Sequence, residues 1–174
     1  MHESRQRSRR AHAAAGTLAF LVLVPGVVAG LIPWLLTGWR IHDPAPAVQI
    51  LGGALVIAGT AFLLHAFARF VIEGIGTPAP IAPTARLVVG GVYRYVRNPM
   101  YLAVGATIAG QALLLGQWGL LAYAGLFFAI VAIFVATYEE PALARRFGAE
   151  YDTYRRAVPG WLPRLHPWNG ERSG

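Results

Sequence analysis

The sequence predicts an all-helical integral membrane protein with about four transmembrane helices, a tight C-terminal helical hairpin and a cytosolic amphipathic helical tail. Three observations support this fold class: a scarcity of charge, long uncharged runs, and arginines that lie on one side of those runs. Charged residues make up only 13% and apolar residues 56% of the 174 residues, whereas a soluble domain carries roughly 25% charged residues. A chain of this length is expected to form a single domain.

Long apolar segments are candidate spans, because a helix needs about 20 apolar residues to cross a bilayer. The first segment contains Pro25 and Pro33, which predict kinks. The uncharged run from Tyr101 to Tyr138 is too long for one helix, and glycines on both sides of Gln117 interrupt it. The predicted spans are 16–37, 45–68, 99–115 and 118–138.

The N-terminus resembles a signal peptide, since arginines within residues 1–12 precede an apolar stretch. That stretch is too long for the apolar region of a cleaved signal, and the pair Arg9-Arg10 lacks the rest of a twin-arginine motif. We therefore expect residues 1–12 to form a cytosolic tail before a retained first helix, with cleavage as the alternative.

Arginine is the only permanently positive side chain of this lysine-free sequence, and its distribution predicts the orientation. Fourteen of the 15 arginines lie before the first span, between the second and third spans, or after the fourth, and only Arg40 lies elsewhere. By the positive-inside rule both termini are cytosolic, and we expect a bacterial cytoplasmic membrane. Basic residues beside apolar runs favour membrane lipids over nucleic acid as the partner.

The cysteine and histidine content of the sequence excludes several kinds of site. The chain has no cysteine, which excludes disulfides, thiolate catalysis and cysteine-ligated zinc, and its five histidines are scattered, so no metal site is predicted.

The small-residue pairs Gly26/Gly30 and Ala106/Gly110 permit close helix packing. Packing within one chain explains such pairs. A homodimer through Gly26 and Gly30 is the alternative, so monomer and homodimer both stay open.

The start of the third span is a candidate anion site. Asn98 is a favoured N-cap residue and Pro99 suits the first helical position, so the positive end of the helix dipole lies there. Arg94 and Arg97 come immediately before it. Free backbone N–H groups and two guanidinium groups would together hold a carboxylate or a phosphate. Anchoring to lipid phosphates explains the arginines equally well.

Glu139 and Glu140 form a second candidate site, at the end of the fourth span. Two carboxylates at a helix C-terminus oppose the helix dipole and destabilise the helix unless a cation binds there. An arginine of the preceding segment would be a structural partner. The amine, sulfonium or ribose hydroxyls of a ligand would be a functional partner, and we favour the functional interpretation.

The segment after the fourth span predicts an amphipathic helix on the membrane surface, because its apolar residues follow helical spacing. Gly148 is expected to divide this helix, and the prolines after residue 158 predict an extended interfacial end containing Trp161 and Trp168. This tail would act as an anchor or as a lid. Its apolar stripe comprises Leu143, Phe147, Tyr151, Tyr154 and Val158.

The second span carries ionisable residues, His65 and Arg69, and Glu73 follows at the same helical spacing. Ionisable groups within a span are candidates for function, so we predict substrate contact by His65 and Arg69. Alternatively, Arg69 extends to the membrane surface and His65 packs against its neighbours.

Together these segments resemble the isoprenylcysteine carboxyl methyltransferase and phospholipid methyltransferase family of integral membrane enzymes. The resemblance extends over residues 86–163, near half of the chain. This family carries histidine where the chain has Asn98, and often a basic residue where it has Gly160. Asparagine keeps the hydrogen-bonding capacity but does not titrate near neutral pH. The matching strings are GVYRYVRNPMY at 91–101 and YEEPAL at 138–143, then Phe147-Gly148, Tyr151, Tyr154 and Val158-Pro159.

The resemblance implies transfer of a methyl group from S-adenosyl-L-methionine to a lipophilic acceptor, with S-adenosylhomocysteine as product. The acceptor would be an isoprenylcysteine-like carboxylate or a lipid headgroup that arrives through the bilayer. Segments 86–98 and 139–168 would enclose the cofactor, and Arg97 and Glu140 are implied as catalytic residues. The implied cofactor-binding residues are Gly91, Tyr93, Arg94, Arg97, Asn98, Pro99, Tyr101, Glu139, Glu140, Tyr151 and Tyr154.

Three other functions are compatible with the pattern. A sterol-reductase-like enzyme would use NADPH, although that family has many more spans. A non-enzymatic membrane scaffold would keep the fold and bind no cofactor. A small transporter would need charged groups at the middle of the bilayer, which only His65 and Arg69 approach.

Overall fold

The computed structural model describes residues 23–69, Ile72 and residues 86–170, and within these residues the protein is all-helical, as predicted. The predicted tail 1–12, residues 16–22 of the first predicted span, and Glu73 lie outside the described residues. We label the helices α1 to α6. In chain order they are Leu23–Thr37, Pro46–Arg69, Pro99–Leu115, Gly119–Phe134, Glu140–Phe147 and Ala149–Ala157. Shorter elements are the π-helical turns Val27–Leu31 and Val135–Glu139 and the 3-10 turn Gly91–Arg94.

Among the described residues, two helices are long and apolar enough to cross a membrane: α2, and the continuous helix Gly119–Phe147 that contains α4 and α5. Only 17% and 22% of their most apolar windows are buried inside the protein. A core helix of a soluble protein would be mostly buried, so this large exposed apolar surface favours a lipid environment. The described part of α1 and the 17-residue α3 are apolar but shorter.

Helix α1 contains a π-helical turn just before Pro33. Proline has no N–H, so carbonyl groups one turn earlier lose their helical donor. Nε2 of Gln111 in α3 replaces the missing donor, since it donates a hydrogen bond to the carbonyl of Ala29 at 2.6 Å. The hydroxyl of Tyr123 in α4 donates to the carbonyl of Val28 at 2.8 Å. The backbone defect in α1 is therefore joined to the α3–α4 hairpin by two hydrogen bonds.

Helices α2 and α3 pack with their backbones in close approach, which small residues permit. A Cβ atom added to Gly52 would lie 2.3 Å from the backbone nitrogen of Leu114, and one added to Gly110 would lie 2.8 Å from that of Val56. By contrast, a Cβ added to Gly26 or Gly30 would meet nothing within 4 Å. The main apolar core lies beside this contact and comprises Leu63, Phe67, Ala103, Val104, Ile108, Ala112, Leu120 and Ala124.

Helices α3 and α4 form the predicted tight hairpin. Gly116 ends α3 in the left-handed conformation, with a φ of +67°. The backbone nitrogen of Gln117 then donates to the carbonyl of Ala112 at 2.9 Å. This arrangement satisfies the last carbonyls of α3 and reverses the chain within a few residues.

The sequence predicts that α4 ends at the carboxylate pair, but the helix does not end there. A π-helical turn joins it to α5, and the helix continues past Pro141 to Phe147. Pro141 is tolerated because it stands at the beginning of α5, after the irregular turn. Glu139 and Glu140 therefore lie inside a continuous helix. The prediction that they stand at a helix C-terminus and oppose its dipole is wrong.

Helices α5 and α6 form the tail, and Gly148 separates them with a φ of +52°, as predicted. The apolar stripe of the tail packs against Leu87 and Val89. Tyr151 and Val158 of this stripe are almost completely buried. Tyr151, Tyr154 and Val158 are therefore covered by protein, whereas Leu143 and Phe147 are only partly buried.

Candidate functional site

A cavity of about 420 Å³ lies between α1, α2 and the α3–α4 hairpin. Most of its wall is apolar. One end is polar, where Arg97, Asn98 and Glu139 contribute nitrogen and oxygen atoms. An apolar ligand would fit the wall, and a charged ligand bound at the same time would fit the polar end. The apolar wall includes Val28, Leu63, Phe67, Val104, Tyr123 and Phe127.

The segment before α3 brings its side chains to the polar end through a turn that requires glycine. Gly91 has a φ of +57°, and a Cβ atom there would lie 2.6 Å from Nε of Arg69. The 3-10 turn that follows buries Tyr93, which lines the cavity. The carbonyl of Tyr93 accepts a hydrogen bond from the hydroxyl of Tyr154 at 2.7 Å. The turn is thus fixed to α6.

Arg97 occupies the centre of the polar end. Its Nη1 donates to Oε1 of Glu140 at 2.6 Å and to the hydroxyl of Tyr151 at 3.0 Å. Its Nε donates to the carbonyl of Val158 at 2.9 Å. Only 13% and 16% of the Arg97 and Glu140 side-chain surfaces are exposed, so solvent screens their attraction weakly. The structure thus brings the two predicted catalytic residues together.

Glu140 binds a second cation instead of facing the cavity. Its Oε2 lies 3.2 Å from Nη2 of Arg155, and Glu140 is not among the residues that line the cavity. Arg155 is half exposed, so this second pair contributes little stability. Because each carboxylate oxygen of Glu140 is paired with an arginine, this residue holds Arg97 in place. The sequence left open whether an arginine or a ligand binds the two carboxylates, and for Glu140 the partner is arginine.

Glu139, in contrast, lines the cavity. Its Oε2 accepts a hydrogen bond from the hydroxyl of Tyr101 at 2.9 Å, and Tyr101 lines the same cavity. No arginine pairs with Glu139 within the part of the chain that the structure describes. A carboxylate with a single phenol partner beside an apolar wall favours a ligand that is cationic or carries hydroxyl groups.

Asn98 stands at the N-cap position of α3, but its side chain does not cap the helix. Its Nδ2 donates at 3.1 Å to the carbonyl of Gly160, and its backbone nitrogen donates to the same carbonyl at 3.2 Å. Gly160 belongs to residues 159–170, which we call the C-terminal strap. The predicted side-chain cap is wrong, because the strap places a competing acceptor beside the Asn98 amide.

Arg94 and Arg97 do not meet at one position. Nε of Arg94 donates to the carbonyl of Trp168 at 2.7 Å, and its Nη2 donates to the side chain of Asn169. Arg97 lines the cavity and Arg94 does not. Of the two arginines in the predicted anion site, only Arg97 is therefore placed to contact a ligand in the cavity.

Tyr151 and Tyr154 support this arrangement from α6 and do not line the cavity. Burial raises the pKa of Tyr154 above its usual range. Burial, and next the negative charge of Glu140, raise the pKa of Tyr151. The Tyr154 phenol therefore stays protonated and keeps donating its hydrogen bond to the carbonyl of Tyr93, while the Tyr151 oxygen accepts from Arg97.

The structure does not bring His65 and Arg69 to the cavity. A Cβ atom on Gly91 would lie 3.0 Å from Nε2 of His65, so both side chains pack close to that turn. Helix α2 contributes Leu63 and Phe67 to the cavity wall instead.

The sequence placed residues 139–168 around the cofactor but did not indicate which groups of the C-terminal strap hold the site. The backbone nitrogen of Arg97 donates to the carbonyl of Pro159 at 2.9 Å. Trp161, predicted to lie at the membrane interface, has its ring 6.4 Å from that of Tyr101 and 6.5 Å from that of Phe128. Backbone hydrogen bonds leave no side-chain pattern in a sequence, and the aromatic residue after Gly160 was the only available signal.

A family model described as "Phospholipid methyltransferase" matches residues 47–150. The match covers more than half of the chain and includes the α3–α4 hairpin and the site residues from Tyr93 to Glu140. Tyr151, Tyr154 and the C-terminal strap lie beyond it. No curated protein matches the chain.

Proposed function

The chain belongs to the phospholipid methyltransferase family, and we propose that it transfers a methyl group from S-adenosyl-L-methionine to a lipophilic acceptor in the membrane. The observation that carries this proposal is the cavity, which joins an apolar wall and a polar end in one space between helices. A lipophilic acceptor fits the wall and a polar cofactor fits the end. The two reactants would meet where these regions join.

The polar end contains the groups that such a cofactor requires. S-adenosylmethionine supplies, when bound, an electrophilic methyl group on a sulfonium. Nη2 of Arg97 makes no hydrogen bond within the described residues. This nitrogen and the N–H groups at the start of α3 would bind a carboxylate. Glu139, held by Tyr101, would accept hydrogen bonds from ribose hydroxyls or an amino group.

We assign the predicted site residues to two roles. Glu140 and Tyr151 would position Arg97, and Tyr154 would position the carbonyl of Tyr93, because these are their hydrogen-bond partners. Gly91 and Arg94 would shape the loop that carries them. The residues that line the cavity would contact the cofactor, and these are Tyr93, Arg97, Asn98, Pro99, Tyr101 and Glu139.

The acceptor would be an isoprenylcysteine-like carboxylate or a lipid headgroup, with its apolar chain against the cavity wall. Holding it beside the cofactor lowers the barrier mainly through proximity and orientation. A carboxylate or thiolate acceptor needs no general base, whereas an amine must lose a proton. Glu139 would take that proton, because it lines the cavity, Glu140 is paired with arginine and Asn98 does not titrate near neutral pH.

We further propose that α1, α2, α3 and the helix Gly119–Phe147 all cross the membrane, with both termini and the polar end in the bacterial cytosol. The 17 residues of α3 extend about 26 Å, which is close to the roughly 30 Å core of a bilayer. The one-sided arginines support this orientation. One chain builds the described site, so a monomer suffices, although the open space at Gly26 and Gly30 leaves room for a homodimer.

Calorimetry of the purified full-length protein with S-adenosylhomocysteine tests the proposal, with NADPH as the control ligand. We expect the first to bind and the second not to bind. Glu139→Gln should weaken binding at least about tenfold, because a charge-assisted hydrogen bond contributes about 1.5–3 kcal/mol. Glu150→Gln is the matched control, since Glu150 is exposed on α6 and should leave the affinity unchanged.

Binding of NADPH instead would support a reductase, and binding of neither ligand would support a scaffold. Wild-type affinity in Glu139→Gln would remove this carboxylate from the cofactor site. Lipid extracts incubated with the protein and a methyl-labelled donor would then identify the acceptor.

A further inference from the structure

The C-terminal strap exposes two leucines to an unusual degree. Leu162 is 80% exposed and Leu165 is 91% exposed, and no other large hydrophobic residue within the described residues is as exposed. The tryptophans of the strap are oriented differently. Trp161 contacts the rings of Tyr101 and Phe128, and Trp168 lies 5.5 Å from the ring of Tyr154. The strap therefore has an aromatic inner face and an aliphatic outer face.

The exposed leucines are held in place by backbone pairing of the strap with residues 94–98. The backbone nitrogen of Arg164, between the two leucines, donates to the carbonyl of Tyr95 at 3.0 Å. Further along, the backbone nitrogen of Trp168 donates to the carbonyl of Arg94 at 2.9 Å. Pairing on both sides fixes the direction of the aliphatic face, so the exposure of the leucines is a built feature of the fold.

The position of Trp161 shows where the strap lies along the hairpin. Tyr101 is in the first turn of α3, and Phe128 lies 11 residues before Glu139 in the apolar helix Gly119–Phe147. Eleven helical residues extend about 16 Å. The ring of Trp161 therefore lies beside the apolar part of the hairpin, and Leu162 is its neighbour in the chain. Given the proposed membrane crossing of the hairpin, the strap lies at the bilayer surface, because Trp161 contacts both Tyr101 at the polar end and Phe128 in the apolar part.

The charge around the strap favours lipid as the partner. The strap contains one arginine and no acidic residue. Helices α5 and α6 nearby expose further arginines, against which stand the exposed acidic residues Glu150 and Asp152. Positive charge beside inserted apolar side chains is typical of surfaces that bind anionic bilayers. The exposed arginines of the two helices are Arg145, Arg146 and Arg156, together with Arg155, which also pairs with Glu140.

We propose that Leu162 and Leu165 insert into the boundary between headgroups and acyl chains of the leaflet beside the site, and that the surrounding arginines bind anionic headgroups there. The tail would thus bind the membrane through its strap, since Tyr151, Tyr154 and Val158 of the stripe are covered by protein. The carbonyls of Pro159 and Gly160, which hold Arg97 and Asn98, belong to the same strap. Lipid contact and the polar end of the cavity therefore share one segment.

The absence of native cysteine allows a direct test by single-site labelling. Leu162→Cys, Leu165→Cys and the control Thr153→Cys, on the exposed face of α6, each receive an environment-sensitive fluorophore. The full-length variants are placed in nanodiscs of phosphatidylcholine and phosphatidylglycerol. We expect spin-labelled lipids to quench the two strap positions, and aqueous iodide to quench them at least about threefold less than position 153.

Two outcomes would overturn the insertion: iodide quenching at 162 and 165 equal to that at 153, or labels shielded from iodide that lipid-borne quenchers also fail to reach. The second outcome would point to a protein partner. Nanodiscs of phosphatidylcholine alone test the charge. We expect weaker lipid quenching in them, and equal quenching in both compositions would overturn the role of the arginines. Circular dichroism before and after labelling establishes that each variant is folded, and none of these readouts depends on methyl transfer.

Discussion

Two regions of the molecule contain a π-helical turn followed by a proline, and the turn has a different role in each. In α1 the π-helical turn Val27–Leu31 is followed by Pro33, and between α4 and α5 the turn Val135–Glu139 is followed by Pro141. Each proline removes an N–H that the preceding carbonyls would need. A π-helical turn next to a proline relieves that conflict, because it changes which carbonyl each N–H reaches.

The two regions differ in what surrounds the carbonyls that the proline leaves without a helical donor. In α1 the released carbonyls are partly buried and accept hydrogen bonds from the neutral side chains of Gln111 and Tyr123. In the second region Ala136 and Thr137, which precede Pro141, are exposed, and the turn instead places Glu139 in the cavity wall and Glu140 against Arg97. The comparison indicates that the first turn supports the apolar wall and the second places the charges.

The largest effect is expected from Arg97→Ala, which breaks the second region. The change leaves the carboxylate of Glu140 shielded from solvent and paired only with the half-exposed Arg155. Removing one partner of a buried ion pair destabilises a protein by about 3–5 kcal/mol. We expect a clearly lower melting temperature in detergent and no measurable binding of S-adenosylhomocysteine by calorimetry.

Arg145→Ala is the matched control for that change, because Arg145 is exposed on α5 and has no ion pair within the described residues. It should leave both quantities within error of wild type. An unchanged melting temperature in Arg97→Ala would show that the pair with Glu140 contributes nothing to the fold. A stable Arg97→Ala protein that still binds the ligand would remove Arg97 from the site.

Gln111→Leu is the corresponding change in the first region. It removes the donor to the Ala29 carbonyl and the acceptor for the indole of Trp39, which lies 3.3 Å from Oε1. Hydrogen bonds between membrane helices contribute about 0.6–1.7 kcal/mol each, so we expect a loss of about 1–2 kcal/mol in unfolding experiments. The affinity for S-adenosylhomocysteine should stay within about twofold of wild type, because no charge is lost.

Gln117→Leu controls for the loss of a glutamine, since this side chain donates to the Arg40 carbonyl in an exposed turn. A stability loss in Gln117→Leu equal to that in Gln111→Leu would show that the burial of Gln111 is unimportant. A large loss of cofactor affinity in Gln111→Leu would contradict the division between the two regions.

The sequence predicted the elements whose signals are local. The hairpin between α3 and α4 was found because Asn98-Pro99 begins one helix and Gly116 ends it with a conformation that glycine adopts readily. The family was also identified, and the match over residues 47–150 confirms it. Arg97 and Glu140 were placed in one site by the family resemblance, and the structure joins them.

The remaining features depend on contacts between distant residues. The donors to the turn in α1 come from residues 82 and 95 positions away, and a proline alone does not indicate which side chain will replace its N–H. The strap pairs with residues 94–98 mainly through backbone groups, which every sequence contains. The amide of Asn98 was assigned to the helix because the competing carbonyl of Gly160 was not visible in the sequence.

Tyr123→Phe is expected to have a smaller effect, confined to the cavity wall. It removes the hydroxyl that donates to the Val28 carbonyl and keeps the ring that lines the cavity. The expected loss of stability is about 0.5–1.5 kcal/mol. Because α1 forms part of the wall, we expect a higher KM for the lipophilic acceptor and an unchanged affinity for S-adenosylhomocysteine. The opposite pattern would place Tyr123 with the polar end.

The smallest effect, and the sharpest test of the comparison, is the coupling between Pro33→Ala and Gln111→Leu. Alanine restores an N–H that can reach the Ala29 carbonyl, so the donor from Gln111 becomes less necessary. In a double-mutant cycle, Gln111→Leu should therefore destabilise the Pro33→Ala protein by about 0.5–1 kcal/mol less than it destabilises wild type. Pro141→Ala, which alters the second region, is the matched background and should show no such coupling. Equal losses from Gln111→Leu in all three backgrounds would mean that Gln111 does not act by replacing the missing donor of Pro33.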